Sequence, residues 1–438
     1  MKKIKVGMLG IGNIGKGTYQ ALTMNHDKIA SATGLDIEIV KILNRNPDKD
    51  RGIAIPKEKY TPDVMGILKD LEIDIVVELI GGIEPATEYM ATALRNGKSV
   101  VTANKAAIAA NGKMLAQLAQ ENRLLLRFEA AVAGGIPILT SLTTALLANE
   151  FTAVHGILNG TTNYILTQMS EYGKDYEEVL KDAQEKGFAE ADPTADVEGI
   201  DAANKLSILI SLLFGIGVGP DDIPTQGITS IGSDDIAFAT ETGYKIKLLA
   251  SAREENGKVS GNVEPALVPI SHPLAGVSNE FNAVFVTGNA VDDLMFYGRG
   301  AGPLPTGSAV MGDVIGVARK LEKDSAYDLV PQLRYDAPFT YAGEGANKYY
   351  VRLQAVDQPG VMGRIATLLG AHNISIETVI QRGKTDIEKA SDPTKEHDIM
   401  PLLFVFNKVE KMVLEKALAE LLQDDMVASI ENVLRVEE

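Results

Sequence analysis

Cysteine is absent from all 438 residues of the chain. That absence removes disulfides, thiolate nucleophiles and cysteine-bound zinc together. It also agrees with a reducing, cytoplasmic setting. Histidine is scarce, with five residues at no spacing that would gather metal ligands. Long apolar runs are missing: no stretch reaches the roughly 18 uninterrupted apolar residues of a membrane span. The apolar segment 4–14 is short and broken by glycines, unlike a secretory signal. Bases are outnumbered, 42 against 59 acids, for a net charge of −17. A nucleic-acid or anionic-membrane surface is therefore not expected. What remains is 45% hydrophobic, enough for several cores, on a length that suggests two to four domains.

Acid is concentrated in one place. Residues 187–205 carry Glu190, Asp192, Asp196, Glu198 and Asp201, and Lys205 closes the run. Pro193 keeps the first half out of a helix. From about Asp196 the pattern is helical, with Leu206, Ile208, Leu209, Ile210, Leu212 and Leu213 to bury it. Asp201 and Lys205 are four apart with the acid first, so they share a helix face. The plain reading is a solvated helix start with one surface ion pair. The alternative is a site, because carboxylates at a helix start suit a ligand's ammonium group and a lone lysine beyond them can donate a proton.

The first half of the chain alternates strand and helix. A β-like run at 3–9 leads into Gly10-Ile11-Gly12-Asn13-Ile14-Gly15, followed by a helical stretch to about Asn25. Strand, glycine turn and helix in that order make a dinucleotide fingerprint, with Gly10, Gly12, Asn13, Ile14 and Gly15 facing the pyrophosphate. A second strand spans 38–43. The acid that would bind the ribose hydroxyls of NAD is missing after it, and Asn44, Arg45 and Asn46 stand there instead. Arg45, with Lys49 nearby, suits the 2′-phosphate of NADP, although a solvated loop arginine would look the same. Further strands are expected at 73–79, 99–102 and 124–128, with helices at 88–96 and 111–122. Lys105 follows the strand signal at 99–102, just past its carboxyl end, where open α/β sheets hold ligands. Residues 129–137, with Glu129 and a glycine bend, offer one carboxylate and several carbonyls. That suits a monovalent cation better than calcium, though ordinary glycine turns are common.

Beyond residue 137 a helix is expected at 138–147 and a strand at 154–158. Asn159-Gly-Thr-Thr-Asn163 then caps a helix. Strand-like segments at 244–252, 259–269 and 283–289 argue for a second sheet. A glycine-rich loop at 298–307 precedes a helix over 303–322 that returns to the first domain. Residues 323–348 read as a linker. The order β-α-β-β-α-β over 349–438 predicts a ferredoxin-like unit, interrupted by a charged loop at 384–398.

These motifs together resemble the homoserine dehydrogenase family, in its bacterial monofunctional form with a C-terminal ACT domain. The resemblance rests on Gly10–Gly15, Thr102-Ala-Asn-Lys105, Asn159–Asn163, Asp357-Gln-Pro-Gly360 and, most specifically, Gly187–Lys205. It implies an α/β chain of three parts: a Rossmann-type domain (1–137), an α+β catalytic and dimerisation domain (138–302) and an ACT domain (349–438). It implies reversible NAD(P)H-dependent reduction of L-aspartate 4-semialdehyde to L-homoserine, in threonine and methionine biosynthesis. Lys205 resembles the proton donor and Lys105 a second catalytic lysine beside the nicotinamide. Glu190 and Asp201 resemble holders of the substrate ammonium, with Asp196 in the same motif. Gly187 and Gly302 resemble backbone contacts to the cofactor. Glu129, with the carbonyls of Val132, Gly134 and Ile136, resembles a sodium site. Further expectations are a homodimer or homotetramer and threonine as effector at the ACT domain. Two rivals stay open: another NADP-dependent reductase on the same first domain, and an amino-acid sensor without chemistry.

Overall fold

The structure, a computed structural model, describes residues 1–46, 49, 51–323, 333, 335–381 and 399–437. The charged loop at 384–398 and part of the expected linker lie outside the described residues.

Residues 2–127 form a six-stranded parallel sheet. Its strands are β1 (Lys2–Leu9), β2 (Leu35–Leu43), β3 (Tyr60–Thr61), β4 (Ile75–Glu78), β5 (Ser99–Thr102) and β6 (Leu126–Arg127), in the order β3-β2-β1-β4-β5-β6. Strand order reverses between β1 and β4, so the ligand crevice of this doubly wound sheet opens there. The connecting helices are α1 (Asn13–Thr33), α2 (Met65–Leu68), α3 (Ala86–Arg95) and α4 (Lys105–Glu121). Two of them are longer than sequence suggests. α1 runs to Thr33, where Gly34 ends it in the left-handed conformation (φ 75°). α4 begins at Lys105 rather than near Asn111, because Asn104 caps it by accepting the Ala107 N–H at 3.1 Å and four alanines extend it.

The central region starts with α5 (Ile138–Thr140), which passes directly into a π-helical turn at Ser141–Ala145 rather than a regular helix to 147. Then follow β7 (Phe151–Ile157), α6 (Gly160–Tyr172), α7 (Tyr176–Glu185), α8 (Thr194–Val197), α9 (Ile200–Phe214), α10 (Ser233–Glu241), β8 (Tyr244–Glu255), β9 (Lys258–Pro269), β10 (Phe281–Gly288) and β11 (Asp292–Arg299). α11 (Pro303–Lys323) crosses back onto α1. The approach is close enough that a Cβ on Gly17 would lie 1.8 Å from the Pro303 carbonyl oxygen.

The C-terminal elements are β12 (Thr340–Gly343), β13 (Asn347–Val356), α12 (Val361–Ala371), β14 (Ile376–Gln381), β15 (Ile399–Val409), α13 (Lys411–Leu421) and β16 (Val427–Val436). Four of these strands make an antiparallel β16-β13-β15-β14 sheet, the ferredoxin-like order. They do not form a detached sheet. β16 pairs in parallel with β9 at Arg435–Ala266 and Val436–Leu267, so the central and C-terminal strands make one ten-stranded sheet, with β12 pairing off β9. Buried charges reinforce the seam. The Arg352 guanidinium donates to both oxygens of Asp235, at 2.8 and 3.1 Å, and Asn432 donates to the same carboxylate at 2.9 Å. Tyr350 stacks on Phe238 with centroids 4.5 Å apart. No helix among the described residues is long and apolar enough to cross a membrane.

Candidate active site

The acidic stretch is not one helix start. α8 is a single short helix, and Gly199 then breaks the chain at φ 82°. A Cβ there would press on Thr225 and Val263 at 3.0 and 3.1 Å, so the break is packed as well as turned. α9 therefore begins at Ile200 and puts Asp201 in its first turn, where a helix end favours a carboxylate. Asp201 and Lys205 are 6% and 8% exposed, which overturns the solvated surface pair.

Asp201 is the point where the groups converge. Lys205 Nζ donates to its Oδ2 at 2.7 Å and also to the Leu158 carbonyl at 2.6 Å. Lys105, from the first turn of α4 in the other domain, donates to Oδ1. Asn159 Nδ2 donates to Asp201 Oδ2 at 2.9 Å and to Asp196 Oδ1 at 2.7 Å, while its Oδ1 caps α6 through the Thr162 N–H. Burial opposes charge on Asp201, but the Lys205 and Lys105 ammonium groups outweigh it and hold the carboxyl well below its usual range. Burial acts the other way on Lys205: it lowers the ammonium pKa although Asp201 pulls it up. Burial raises Asp196, which Asn159 only partly offsets. The result is two lysine amines from two domains on one carboxylate. Lys205 is enclosed, whereas the Lys105 side chain stays 42% exposed and reaches the cleft.

The other expected residues lie around this cluster. Glu190 is exposed, and only its carbonyl is engaged, by Gln184. Both oxygens of Asp201 are turned toward Lys105, Lys205 and Asn159. Gly187 (φ 74°) and Gly302 (φ 112°) are exposed left-handed turns. The part of Asn159 in tying Asp196 to Asp201 was missed by sequence reasoning. The cap signal Asn-Gly-Thr-Thr was visible, but a cap says nothing of where the side-chain N–H₂ points.

The glycine fingerprint fits a dinucleotide. Gly10 turns at φ 103°, with a virtual Cβ 2.9 Å from the Leu79 oxygen. A Cβ on Gly12 would meet nothing within 4 Å, which leaves the helix N-terminus open to a pyrophosphate, and one on Gly15 would lie 2.6 Å from the Gly10 oxygen. Asn13 and Ile14 start α1. Arg45 is exposed beside the end of β2. A second guanidinium, Arg51, reaches the same spot and donates to Asn44 Oδ1 at 2.9 Å. Its distance along the chain concealed it.

Glu129 is buried, and both its oxygens accept N–H groups, from Leu139 at 2.8 Å and Thr140 at 2.7 Å. Burial raises its pKa despite those bonds. The following loop holds Val132, then Ala133 and Gly134 at φ 53° and 51°, then Ile136, whose carbonyl accepts from Ile138.

A parallel doubly wound sheet with an open glycine fingerprint, facing a lysine-bearing helix from a second domain, defines a nicotinamide-dependent oxidoreductase. Comparison with known proteins makes this specific. Residues 10–129 match the model of the homoserine dehydrogenase NAD-binding domain, 137–315 that of homoserine dehydrogenase and 349–424 that of the ACT domain. The chain is 37% identical to homoserine dehydrogenase of Bacillus subtilis over 100% of its own length and 99% of the relative's. It superposes on a homoserine dehydrogenase from Thiobacillus denitrificans with a TM-score of 0.92 at 38% identity, covering 100% and 99% of the two chains. It also matches a hyperthermophilic archaeal homoserine dehydrogenase in complex with NADPH, at TM-score 0.62 and 27% identity, over 73% of this chain and 98% of that one. The chain belongs to the homoserine dehydrogenase family, NAD(P)-dependent oxidoreductases acting on a CH–OH group.

Proposed function

We propose that the protein interconverts L-aspartate 4-semialdehyde and L-homoserine with Lys205 as the proton donor and Lys105 as the second cation at the reacting oxygen. The observation that carries this is the meeting of both lysines on Asp201 across the interdomain cleft. When bound, the nicotinamide supplies or accepts the hydride. The chain's own residues handle charge and protons. As charge builds on the substrate oxygen, two ammonium groups stabilise it, and Lys205 Nζ delivers the proton. In the oxidation direction the neutral Lys205 amine accepts it. Asp201 aims both lysines, and Asn159 locks Asp201 to Asp196. Exposed Glu190 and partly buried Asp196 supply negative charge for the substrate ammonium. Gly187 and Gly302 leave their backbones open to the cofactor.

NADP is proposed to be used at least as well as NAD. The support is the pair Arg45 and Arg51 where an acid would favour NAD, with the NADPH-bound archaeal relative as a parallel. A sodium ion on Glu129 and the Val132, Gly134 and Ile136 carbonyls is proposed on donor chemistry. All four donors are oxygens, and a monovalent cation would offset a carboxylate that burial disfavours. The C-terminal unit is proposed to bind threonine at the N-terminus of α12, where Gly360 (φ 95°) leads into the first-turn N–H groups of the helix. A homodimer or homotetramer is supported by the edge strand β11, which exposes Met295 and Tyr297. Biosynthetic work on an aldehyde, without cysteine, is proposed to take place in the cytoplasm. Initial rates of homoserine oxidation with NAD and with NADP, with and without threonine, test the reading. No turnover with either cofactor would overturn it, and turnover unaffected by threonine would remove the effector.

A further inference from the structure

Glu78 is the last residue of β4 and is completely buried. It pairs in register with Leu9 of β1 on one side and Thr102 of β5 on the other, so it stands at the crevice of the sheet. All three of its hydrogen-bond partners are neutral donors. Oε1 accepts the Ile80 N–H at 2.7 Å and the Gly81 N–H at 3.3 Å, and Oε2 accepts the Thr102 hydroxyl at 2.7 Å. Each of these bonds is accepted by the carboxyl, so the position needs a group that only accepts.

The bonds continue into a ring. The Thr102 hydroxyl oxygen accepts the Asn104 N–H at 2.9 Å. Asn104 Nδ2 donates to the Gly82 carbonyl at 2.7 Å, and its Oδ1 caps α4 through Ala107. The chain from Ile80 to Gly82 thus closes back on Glu78 through Asn104 and Thr102. One side of the ring is the loop that leans on the fingerprint, where Leu79 crowds Gly10. The other side is the first turn of α4, which begins with Lys105.

We propose that Glu78 is a positioning residue for Lys105: through this ring it locks the 79–82 loop to the start of α4, so that the Lys105 ammonium is held over the crevice and against Asp201. The proposal rests on the reading of Lys105 as a cation at the reacting oxygen. Glutamine at 78 would have the same shape, but its N–H₂ would either face the backbone donors or reverse the Thr102 link and leave that hydroxyl's proton without its acceptor, and so weaken the ring.

The test is a double-mutant cycle of Glu78→Gln with Lys105→Ala, scored by kcat and by KM for homoserine and cofactor. Glu78→Gln alone is expected to lower kcat by roughly 10- to 100-fold, the scale of a misplaced catalytic group, with the homoserine KM little changed. In the Lys105→Ala background the same change is expected to cost less than about threefold in kcat, because there is no ammonium left to position. An equal loss in both backgrounds, or wild-type kcat in Glu78→Gln, would overturn the proposal. If Glu78→Gln does not fold, Thr102→Val opens the ring at its next link and is scored in the same cycle. A Lys105→Ala enzyme with near-normal kcat would instead sink the reading of Lys105 itself, and the proposal with it.

Discussion

Lys205 and Asp201 stand one helical turn apart on α9 and pair at 2.7 Å with almost no access to solvent. A surface pair at this spacing would contribute a few tenths of a kcal/mol. Enclosed, the pair sets the protonation of the lysine. Burial lowers the Lys205 pKa and Asp201 opposes it. The neutral amine therefore becomes available at a lower pH than for a free lysine, about 10.4. With Lys205 in the proposed proton-transfer role, homoserine oxidation is expected to rise with pH on a limb below that value, and aldehyde reduction to fall over the same range. Lys205→Ala should lower turnover about 10²–10⁴-fold, the usual size of a lost general acid, and flatten that limb, with little change in cofactor KM. Near-normal turnover in steady-state assays would retire the proton-donor role.

Arg45 and Arg51 flank the end of β2. Arg45→Ala is expected to weaken NADP by roughly 10- to 100-fold, the worth of one charged hydrogen bond to phosphate, and to leave NAD nearly unchanged. Arg51→Ala should act in the same direction, with an added structural loss at Asn44. Cofactor titrations by fluorescence would measure both. Equal losses for the two cofactors would contradict a 2′-phosphate clamp.

Arg352 and Asp235 join the C-terminal sheet to α10 through a buried ion pair. Arg352→Met leaves a buried carboxylate without its cation and is expected to cost about 3–5 kcal/mol, seen as a lower thermal midpoint. Pairing it with Asp235→Asn should recover part of the loss. Deleting 346–438 uncovers Asp235 and the β9 edge together, so the remaining domains are expected to be destabilised rather than simply released from inhibition. A truncated enzyme with an unchanged midpoint would show that the seam contributes little.

His155 lies on β7 near Ser251, with Ser251 Oγ at 3.1 Å and Glu437 of the C-terminal segment at 3.6 Å. Burial lowers its pKa to about 4, with Glu437 pulling it up and Arg435, His272 and Arg253 pushing it down. The folded value is below the unfolded one, about 6.5. Its neutral form therefore contributes stability in full above about pH 6.5, and that contribution is lost as pH falls toward 4. The change is at most about 3 kcal/mol. Thermal midpoints measured from pH 7 to pH 4 should fall less steeply in His155→Gln. A parallel fall in both proteins would assign the acid sensitivity to other groups.

Much of this was legible in the residues because it depends on local order. Gly10, Gly12 and Gly15 act through backbone space within six residues, and Asn159 caps a helix that begins beside it. The ACT unit was legible from its alternating strands and the Gly360 turn. The limits of α4 and α9 were misread for the opposite reason. Whether Lys105 starts a helix or ends a loop depends on the Asn104 cap and on Gly82, and Gly199 breaks the acidic run because Thr225 and Val263 occupy the space beside it.

Sequence alone determined which chemistry was available: two lysines, a cluster of carboxylates, a glycine fingerprint, no thiol. It also determined the helical spacing of Asp201 and Lys205. Only the tertiary structure decided that Lys105, from a different domain, meets them on the same carboxylate, that Asn159 binds Asp196 to Asp201, and that Glu78 faces Thr102 across two strands. It alone decided that the C-terminal sheet continues the central one through β9 and β16. The physical reason is that burial and charge pairing are properties of groups brought together by packing, over separations in sequence that no local pattern records.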